Sequence, residues 1–294
     1  MTIFVAVAEH GSFVGASRRL GRSSTAVSRA VAALEDDLGV ELFTRTTRAN
    51  ALTVAGQLYL ERARRVVAGY AALREAADAS GDPVGPIVVT APEMFGRMHV
   101  LPLAQEFMDA HPRVEISLLL LNRLVSFVDE GVDVGFRIAH LADSSLRAVR
   151  LGEVRRALCA SPDYLARAGA PDDPADLARH RIIAVTDARP FSTRWRFHNG
   201  RSERSVQVKP QLAVNSMQAA LEAAARGGGI VRALSYQLAP FEASGALRRV
   251  LAAFEPPPTP IHLAHPAGRH PPLRIRLFID YAVARLKGRF PASS

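Results

Sequence analysis

Residues 12–48 read SFVGASRRLGRSSTAVSRAVAALEDDLGVELFTRTTR, a pattern that predicts two short amphipathic helices around a glycine turn, followed by a hairpin. Ser12 is suited to cap a helix over 13–20, and Gly21 permits the left-handed turn that ends it. A further helix over 2–10 precedes them. We therefore expect a small helical unit that ends in a β-hairpin.

The helix that follows Gly21, capped by Ser23, has two different faces. Its apolar residues recur at i, i+4, i+7 and i+11 and predict one buried stripe: Val27, Val31, Leu34 and Leu38. The opposite face carries small hydroxyl groups beside an arginine, which suit entry into the major groove because nothing bulky blocks the approach. The candidate DNA contacts on this helix are Ser23, Ser24, Thr25, Ser28 and Arg29. The alternative is an ordinary helical hairpin with a solvated outer face.

Residues 41–53 favour the DNA-binding interpretation because they consist of two β-prone arms around a polar tip, the pattern of a wing. Arg45, Thr46 and Arg48 are suited to phosphate or minor-groove contacts, by charge and by hydroxyl hydrogen bonds. A groove-sized helix followed by such a wing predicts double-stranded DNA as a partner.

The charge of the chain is less informative than its distribution. The net charge is +9, and the only lysines are Lys209 and Lys287. Residues 1–50 hold six arginines against five acidic residues, an excess of only one. Four of these arginines precede Glu35, however, whereas four of the five acids lie between positions 35 and 41. We expect a polarised domain with a basic face.

A long helix is predicted to start after Thr53, a suitable N-cap, and to reach about Ala79, a length on the order of 40 Å. Apolar residues along it alternate spacings of four and three, which is typical of a heptad seam and predicts a homodimer: Tyr59, Ala63, Val66, Tyr70, Leu73 and Ala77. Packing of this helix on the chain's own domains is the alternative. Residues 80–86, SGDPVGP, then predict a short hinge.

From Ile87 onward, strand-like and helix-like segments alternate, the pattern of a mostly parallel sheet with helices on both faces. The first lobe is predicted to contain strands 87–91, 114–120 and 132–136 and helices 100–110 and 124–130. The second is predicted to contain strands 181–185, 207–214 and 229–234 and helix 217–226. Segment 260–265 is expected to cross back to the first lobe, with a closing helix over 272–287.

Ligands of open α/β sheets bind at the carboxyl ends of strands, beside helix N-termini. The candidate ligand contacts are Ala91, Pro92, Glu93, Met94, Phe95, Asn122, Arg137, Asn215 and Ser216. Backbone N–H groups there, together with Arg137, are suited to a small organic anion such as a carboxylate. The alternatives are that Ser216 only caps its helix and that Arg137 pairs with a nearby acid such as Asp133.

Motifs of catalysis are missing from the sequence, which contains no HExxH, no GxSxG and no P-loop. His262 and His265 lie at an odd spacing on a predicted strand and therefore on opposite faces, which argues against a metal site. Cys159 is the only cysteine, so no internal disulfide is possible. No apolar run is long enough to span a membrane, and no secretory signal is recognisable. We expect a cytoplasmic protein without cofactor or metal.

Ordered motifs along nearly the whole chain resemble the LysR-type transcriptional regulators. They begin with FVAVAEHGSF (4–13), AVSRAVAALEDDLGVELFTRTTR (26–48) and LTVAGQLYLERAR (52–64). The similarity continues with APEMFGRMHVLPLAQEFMDAHPRVEISL (91–118), EGVDVGFRI (130–138), ALCASPDYLARAG (157–169) and VNSMQAALEAAARGGGI (214–230).

The resemblance implies an N-terminal all-α winged helix-turn-helix over 1–53 and a dimerisation linker helix with hinge over 54–86. It implies a C-terminal α/β effector domain over 87–294, two-lobed and periplasmic-binding-protein-like. Lobe I would comprise 87–160 and 263–294, and lobe II would comprise 161–262. A regulator of this kind is a homodimer that assembles further into a tetramer and binds a pseudo-palindromic operator.

Three features depart from the family pattern. Members usually have several residues ahead of the segment that begins here at Met1, so the first helix is short or the start lies upstream. Ser24 stands where the family often carries a base-reading glutamine. Ala49 and Asn50 stand where the wing is often basic, which should weaken phosphate contacts.

Two other classes compete with a ligand-responsive regulator. One is a small-molecule receptor or transport protein whose helical N-terminus only mediates assembly, and the missing export signal argues against it. The other is an enzyme with an appended DNA-binding domain, which lacks a nucleophile–base pair or cofactor motif.

Overall fold

A computed structural model describes residues 1–46, 49–77, 82–123, 125–127, 130–140, 146–186, 193–199, 202–267 and 271–290. The chain divides into two compact units. One comprises residues 1–84 with 269–276, and the other comprises 85–268 with 277–294.

The first unit begins with three helices and a hairpin, and each predicted N-cap forms. Its elements are α1 (Thr2–His10), α2 (Phe13–Leu20), α3 (Ser24–Leu38), β1 (Phe43–Thr46), β2 (Ala49–Leu52) and α4 (Val54–Ala77). The hydroxyl oxygens of Ser12, Ser23 and Thr53 accept hydrogen bonds from backbone N–H groups three residues later, at 3.0, 3.2 and 2.9 Å. Gly21 has φ +60°, as its turn requires.

The core of this unit forms where the apolar faces of its helices meet the base of the hairpin. Phe4, Val27 and Leu42 are fully buried in it. The predicted stripe of α3 is confirmed for Val27 and Val31 and wrong for its last member. Leu38 is 37% exposed because α3 ends there, one residue before the turn at Gly39.

The second unit contains two five-stranded sheets, and the first has the strand order β4-β3-β5-β14-β6. Its strands are β3 (Gly85–Ala91), β4 (Val114–Leu120), β5 (Val134–Ile138), β6 (Leu146–Val154) and β14 (Thr259–Pro266). β3 runs parallel to β4 and β5, and β14 runs antiparallel to β5 and β6. α5 (Glu93–Phe95) continues through a π-helical turn (Gly96–Val100) into α6 (Leu101–Ala110). The closing helix is α10 (Leu273–Leu286), whose Phe278 packs on Phe107 of α6.

The second sheet has the strand order β11-β8-β12-β7-β13. Its strands are β7 (Arg156–Ala160), β8 (Ile182–Val185), β11 (Leu212–Val214), β12 (Ile230–Leu234) and β13 (Arg248–Val250). A separate antiparallel hairpin, β9 (Thr193–His198) and β10 (Glu203–Val208), packs Trp195 and Phe197 into the core of this lobe. Its helices are α7 (Pro162–Ala168), α8 (Met217–Ala225) and α9 (Ser235–Ala243).

Two segments connect the sheets, and both lie away from their predicted positions. β7 belongs to the second sheet, so the first crossing is at Arg155 and precedes the predicted boundary at residue 160. β14 belongs to the first sheet, so the return lies in 255–258, which reads EPPP, and precedes the predicted boundary at residue 262.

Two predicted elements differ from the structure. Within 124–130 the described residues form loop and turn, with one i, i+4 hydrogen bond from the N–H of Glu130 to the carbonyl oxygen of Ser126 at 3.1 Å, and residues 124, 128 and 129 lie outside the described ranges. Segment 207–214 is two strands in different sheets, separated by Lys209–Gln211 with Pro210 among them. Proline cannot donate a ladder hydrogen bond, which explains the break. Among the described residues, no helix is both long enough and apolar enough to cross a lipid bilayer.

Candidate DNA interface and ligand cleft

The polar face of α3 lies on the surface of the first unit. Ser24, Thr25, Ser28 and Arg29 are all exposed, while Val27 and Val31 on the opposite face of the helix are buried. This alternation confirms the predicted two-faced helix. The exposed residues occupy its first turns, where the helix dipole is positive and backbone N–H groups remain to be satisfied. Such a surface is suited to a polyanion.

Two arginines near the start of α3 are available to an external anion. Arg22 and Arg29 are exposed, and neither forms an ion pair with any residue that the structure describes. The acidic residues of α3 lie at its other end. One of them, Glu35, is engaged by the backbone, because its Oε1 accepts hydrogen bonds from the N–H groups of Leu42 at 2.7 Å and Phe43 at 3.0 Å.

This role of Glu35 was not predicted from the sequence, which only indicated that Glu35 belongs to a cluster of acidic residues. The carboxylate connects α3 to the first strand of the wing. The only signal in the sequence was its position one turn before the end of an amphipathic helix, next to an apolar stripe. Its partners lie seven and eight residues away, beyond the spacing at which side chains meet along a helix.

The wing forms as predicted. β1 and β2 pair antiparallel, with Arg45 opposite Asn50 and Thr46 opposite Ala49. The side chains of Arg45 and Thr46, and the whole of Arg48, lie outside the described residues. Their contacts with DNA therefore remain predictions.

The predicted seam of α4 has two parts with different surroundings. Tyr59 packs edge-on against Phe4, with ring centroids 5.3 Å apart, and Ala63 is 2% exposed, so both belong to the core of their own unit. This is the alternative interpretation of the seam. Val66 and Tyr70 are 56% and 65% exposed. The side chains of Leu73 and Ala77 lie outside the described residues.

The loop after β3 has a buried side and an exposed side. Ala91, Met94 and Phe95 are buried, so their side chains belong to the core of the lobe. Pro92 and Glu93 are only partly buried. The backbone N–H of Glu93 donates to Asn122 Oδ1 at 3.1 Å, which brings together two of the predicted ligand contacts.

Arg137 and Ser216 both have structural roles within their own lobes. Arg137 Nη2 donates to the carbonyl oxygen of Val125 at 2.7 Å, and its guanidinium lies over the ring of Phe127. Burial lowers the pKa of Arg137. Ser216 is the N-cap of α8, as the alternative interpretation predicts, and Asn215 beside it is exposed.

A hydrogen bond between the lobes was missed by the sequence reasoning. Arg97 Nη2, in the π-helical turn, donates to Gln218 Oε1 of α8 at 2.9 Å. Arg97 also lies 3.8 Å from the Glu93 carboxylate. Gln218 follows the predicted contacts at 215–216, so this bond joins the two groups of predicted ligand residues. The i, i+4 spacing of Glu93 and Arg97 indicates their ion pair, but nothing in the sequence indicates Gln218 as the other partner of Arg97.

Other candidate chemistry is limited. Within the described ranges, no group of three or more His, Cys, Asp or Glu residues could hold a metal ion. Cys159 is fully buried, and burial raises the pKa of its thiol to about 12. A protonated thiol is a poor nucleophile and a poor metal ligand.

Two family models match this chain. Residues 80–287 match the LysR substrate binding domain. Residues 1–57 match the bacterial regulatory helix-turn-helix protein, lysR family.

Individual relatives extend the similarity over almost the full length. The chain is 34% identical to an HTH-type transcriptional regulator of Xanthomonas campestris, over 97% of this chain and 84% of that protein. It is 34% identical to the HTH-type transcriptional regulator PtxR of Pseudomonas aeruginosa, over 94% and 89%. The structure of CrgA, a LysR-type transcriptional regulator from Neisseria meningitidis, matches with a TM-score of 0.63 and 31% identity, over 97% of each chain.

Proposed function

Because the chain belongs to the LysR-type transcriptional regulators, which bind DNA and carry an effector domain, we propose how its own residues perform these tasks. Helix α3 enters the major groove of double-stranded DNA. Ser24, Thr25, Ser28 and Arg29 face base edges and nearby phosphates, while Ser23 caps the helix from the same end. The wing residues Arg45, Thr46 and Arg48 contact the flanking backbone.

The observation that carries this assignment is the polar face of α3. Its small hydroxyl residues are exposed beside two arginines, Arg22 and Arg29, that have no ion-pair partner among the described residues. An exposed arginine without a carboxylate partner is free to replace the counterions of a phosphate.

We propose that the chain acts as a homodimer through the outer part of α4. Val66 and Tyr70 are large, apolar and exposed on the helix face that, nearer its start, carries the half-buried Tyr59 and the buried Ala63. This apolar face therefore extends beyond the core of the first unit. The α4 helix of a second copy is suited to pack against the exposed part. A dimer presents two recognition helices to two half-sites, so the operator should be pseudo-palindromic. Two dimers form a tetramer.

We propose that a small organic anion binds between the two lobes and shifts the placement of the DNA-binding dimers. Pro92, Glu93, Asn122 and Asn215 offer accessible groups there. To them we add Arg97 and Gln218, whose hydrogen bond joins the lobes. The buried residues Ala91, Met94 and Phe95 shape the loop from its core side. Arg137 holds the 125–127 segment, and Ser216 holds the start of α8.

We propose action in the cytoplasm, where the chromosome is accessible, and without a cofactor. An enzymatic role has no support among the relatives, which are transcriptional regulators. A role in solute transport has none either.

Footprinting of the DNA upstream of the protein's own gene, at several salt concentrations, tests this function. We expect two protected half-sites and a steep loss of protection with salt. Arg29→Ala should weaken protection and reduce the salt slope by about 1 if the residue contacts a phosphate. Arg226→Ala is the matched control, because Arg226 is an exposed arginine of the other unit. Binding that is equal in both variants would contradict the assignment.

A further inference from the structure

The second unit contains a cavity that the predicted ligand residues do not line. Its volume is about 430 Å³, and it lies between the π-helical turn, the first crossing segment, α9 and the residues after α10. That volume is within the range of small-molecule sites, roughly 300–1,000 Å³. None of the nine predicted effector contacts belongs to its walls.

The walls of the cavity combine apolar surface with a few polar groups. Met98, Ala239, Pro240 and Phe290 provide apolar surface, while His99 and Tyr236 provide polar atoms. Met98 and His99 lie in the π-helical turn. Single π turns inside α-helices are rare and frequent at functional sites.

Three arginines line the cavity, Arg155, Arg249 and Arg289, and Arg289 is the one proposed to meet a ligand. Glu242 is paired with Arg249, at 2.7 Å, and Glu153 with Arg150, at 2.5 Å. Arg289 is exposed and forms no ion pair with any acid in the described part of the chain. Its charge acts on the cavity, since it helps burial to lower the pKa of His99 to about 4.

Two neutral polar groups are available beside Arg289. The Nε2 atom of His99 is buried and has no hydrogen-bond partner among the described residues, an arrangement that is costly for a protein to maintain without use. The hydroxyl oxygen of Tyr236 accepts a hydrogen bond from Gln237 Nε2 at 3.2 Å. Burial raises the pKa of Tyr236, so its proton remains available for donation.

We propose that this cavity is a second ligand site, which takes a small organic monocarboxylate with an apolar body. The carboxylate binds Arg289 and the hydroxyl of Tyr236, and the apolar part lies on Met98, Pro240 and Phe290. Glu153 and Glu242 are already paired, and Arg155, another arginine of the walls, acts on the carboxylate of Glu255. Arg289 is therefore the cation that one negative charge would match. The site goes beyond the proposed effector cleft, and its test requires neither DNA nor the natural effector.

The cavity is connected to the loop after β3 by aromatic packing. Phe95 lies 5.0 Å from His99, 5.5 Å from Tyr236 and 5.5 Å from Phe290, measured between ring centroids. Phe95 follows Glu93, a proposed contact of the effector cleft, by two residues. A ligand that moves these rings therefore acts on the loop, and coupling of this kind is reciprocal.

Isothermal titration of the full-length protein with 1-naphthoate tests the proposal. We expect saturable binding of one molecule in the millimolar range or tighter, and at least tenfold weaker binding of the neutral 1-naphthalenemethanol. Arg289→Gln should weaken 1-naphthoate binding about tenfold or more, as expected for a lost charge-assisted hydrogen bond. Ala239→Trp should abolish it by filling the cavity. Both positions are exposed, so both variants should fold.

Two controls separate this site from others. Arg226→Gln removes an exposed arginine elsewhere on the same unit, and Asn215→Ala alters the proposed effector cleft. Both should bind 1-naphthoate like the parent protein. The proposal is overturned by the absence of saturable binding, by an equal loss in Arg226→Gln and Arg289→Gln, by full binding in Ala239→Trp, or by a loss confined to Asn215→Ala.

Discussion

Glu35 of helix α3 accepts a hydrogen bond at 2.7 Å from the backbone N–H of Leu42, at the base of the wing. A second bond, from Phe43, completes the contact. One carboxylate thus sets the position of the wing relative to α3, the helix that we propose enters the groove. Phosphate contacts and base contacts must be made together. We therefore expect the hydrogen bonds of Glu35 to matter for DNA binding as well as for stability.

Removal of this carboxylate should therefore weaken both properties. Glu35→Ala leaves two backbone N–H groups without their acceptor, and we expect a loss of about 1–3 kcal/mol in the free energy of unfolding. DNA affinity should fall too, although Glu35 carries a charge that repels phosphate. Urea unfolding and fluorescence anisotropy measure the two effects. As a control, Asp37→Ala removes an exposed acid of the same helix and should raise DNA affinity slightly. If both variants behave alike, the hydrogen bonds of Glu35 do not position the wing.

Two glycines of α4 should respond oppositely to alanine. A Cβ at Gly56 would lie 2.1 Å from the carbonyl oxygen of Leu42, whereas a Cβ at Gly69 would meet nothing within 4 Å. Gly56→Ala should lower the free energy of unfolding by about 1–3 kcal/mol through steric strain. Gly69→Ala should raise it by about 0.5–1 kcal/mol through helix propensity. Thermal unfolding at one protein concentration measures both. Stabilisation by Gly56→Ala would show that the wing base is not packed as described.

Charges on the outer part of α4 should dissociate the proposed dimer. In a Val66→Asp, Tyr70→Asp double variant, four carboxylates would face one another across the twofold axis, so we expect a monomer. Light scattering coupled to size-exclusion chromatography should give a mass near the 31.7 kDa of one chain. Gln57→Asp is the control, because residue 57 is exposed and lies about 180° from Val66 at 100° per residue. A double variant that remains a dimer would place the interface elsewhere.

His99 should make stability depend on pH below neutrality. Its pKa is about 4 when folded and near 6.5 when unfolded, so the unfolded chain binds the extra proton between these values. The contribution of His99 to the free energy of unfolding is therefore fully present above about pH 6.5 and decreases as the pH falls towards 4. His99→Phe keeps the aromatic packing and should flatten this part of the profile. His180 and His262 also have lowered pKa values and contribute to the pH dependence of stability. The effect of His99 is therefore the difference between the pH profiles of the variant and the parent protein.

A matched variant makes the pH experiment specific. His140→Gln changes an exposed histidine, and its stability should follow the pH profile of the parent protein. If the profiles of His99→Phe and His140→Gln coincide, burial of His99 is not the cause.

Cys159 should be unreactive in the folded protein. Its side chain is fully buried and its thiol has a pKa of about 12, so the thiolate is scarce at pH 8. Ellman's reagent should label no thiol in the native state and one in concentrated urea. Hydrogen peroxide should leave DNA binding unchanged. Rapid labelling of the native protein would mean that the strand pairing around Cys159 opens readily.

The DNA-binding unit was predictable because its signals are local. Caps, glycine turns and apolar spacing lie within one or two helical turns of the residues they specify, and Ser12, Gly21 and Ser23 adopt the predicted roles. The function of Glu35 depends on a partner outside that range. The same limit explains why the pairing of Arg97 with Gln218, 121 residues apart, could not be predicted.

The effector unit was predictable in its alternation of strands and helices and less so in its connections. β7 is an apolar run like its neighbours, and hydrophobicity does not tell which of two sheets a buried strand joins. The hairpin of β9 and β10 was missed because arginines interrupt its apolar residues. Trp195, Phe197 and Val208 nevertheless lie in the core of the lobe. The start of the predicted α4 seam packs in its own unit, whereas Val66 and Tyr70 are exposed. Periodicity alone cannot distinguish cover by its own domain from cover by a second copy.

The two connections between the sheets differ in kind. Arg155 alone joins β6 to β7, and the return passes through Pro256, Pro257 and Pro258. Consecutive prolines form an extended, semi-rigid spacer with little freedom in φ. A connection of one residue and a second, stiff connection restrict the relative motion of the two lobes. Translation of one lobe along the other is the motion that they restrict most. We expect them to swing about an axis through these two points, so that a ligand-driven displacement grows with distance from it and is largest at the outer ends of the lobes.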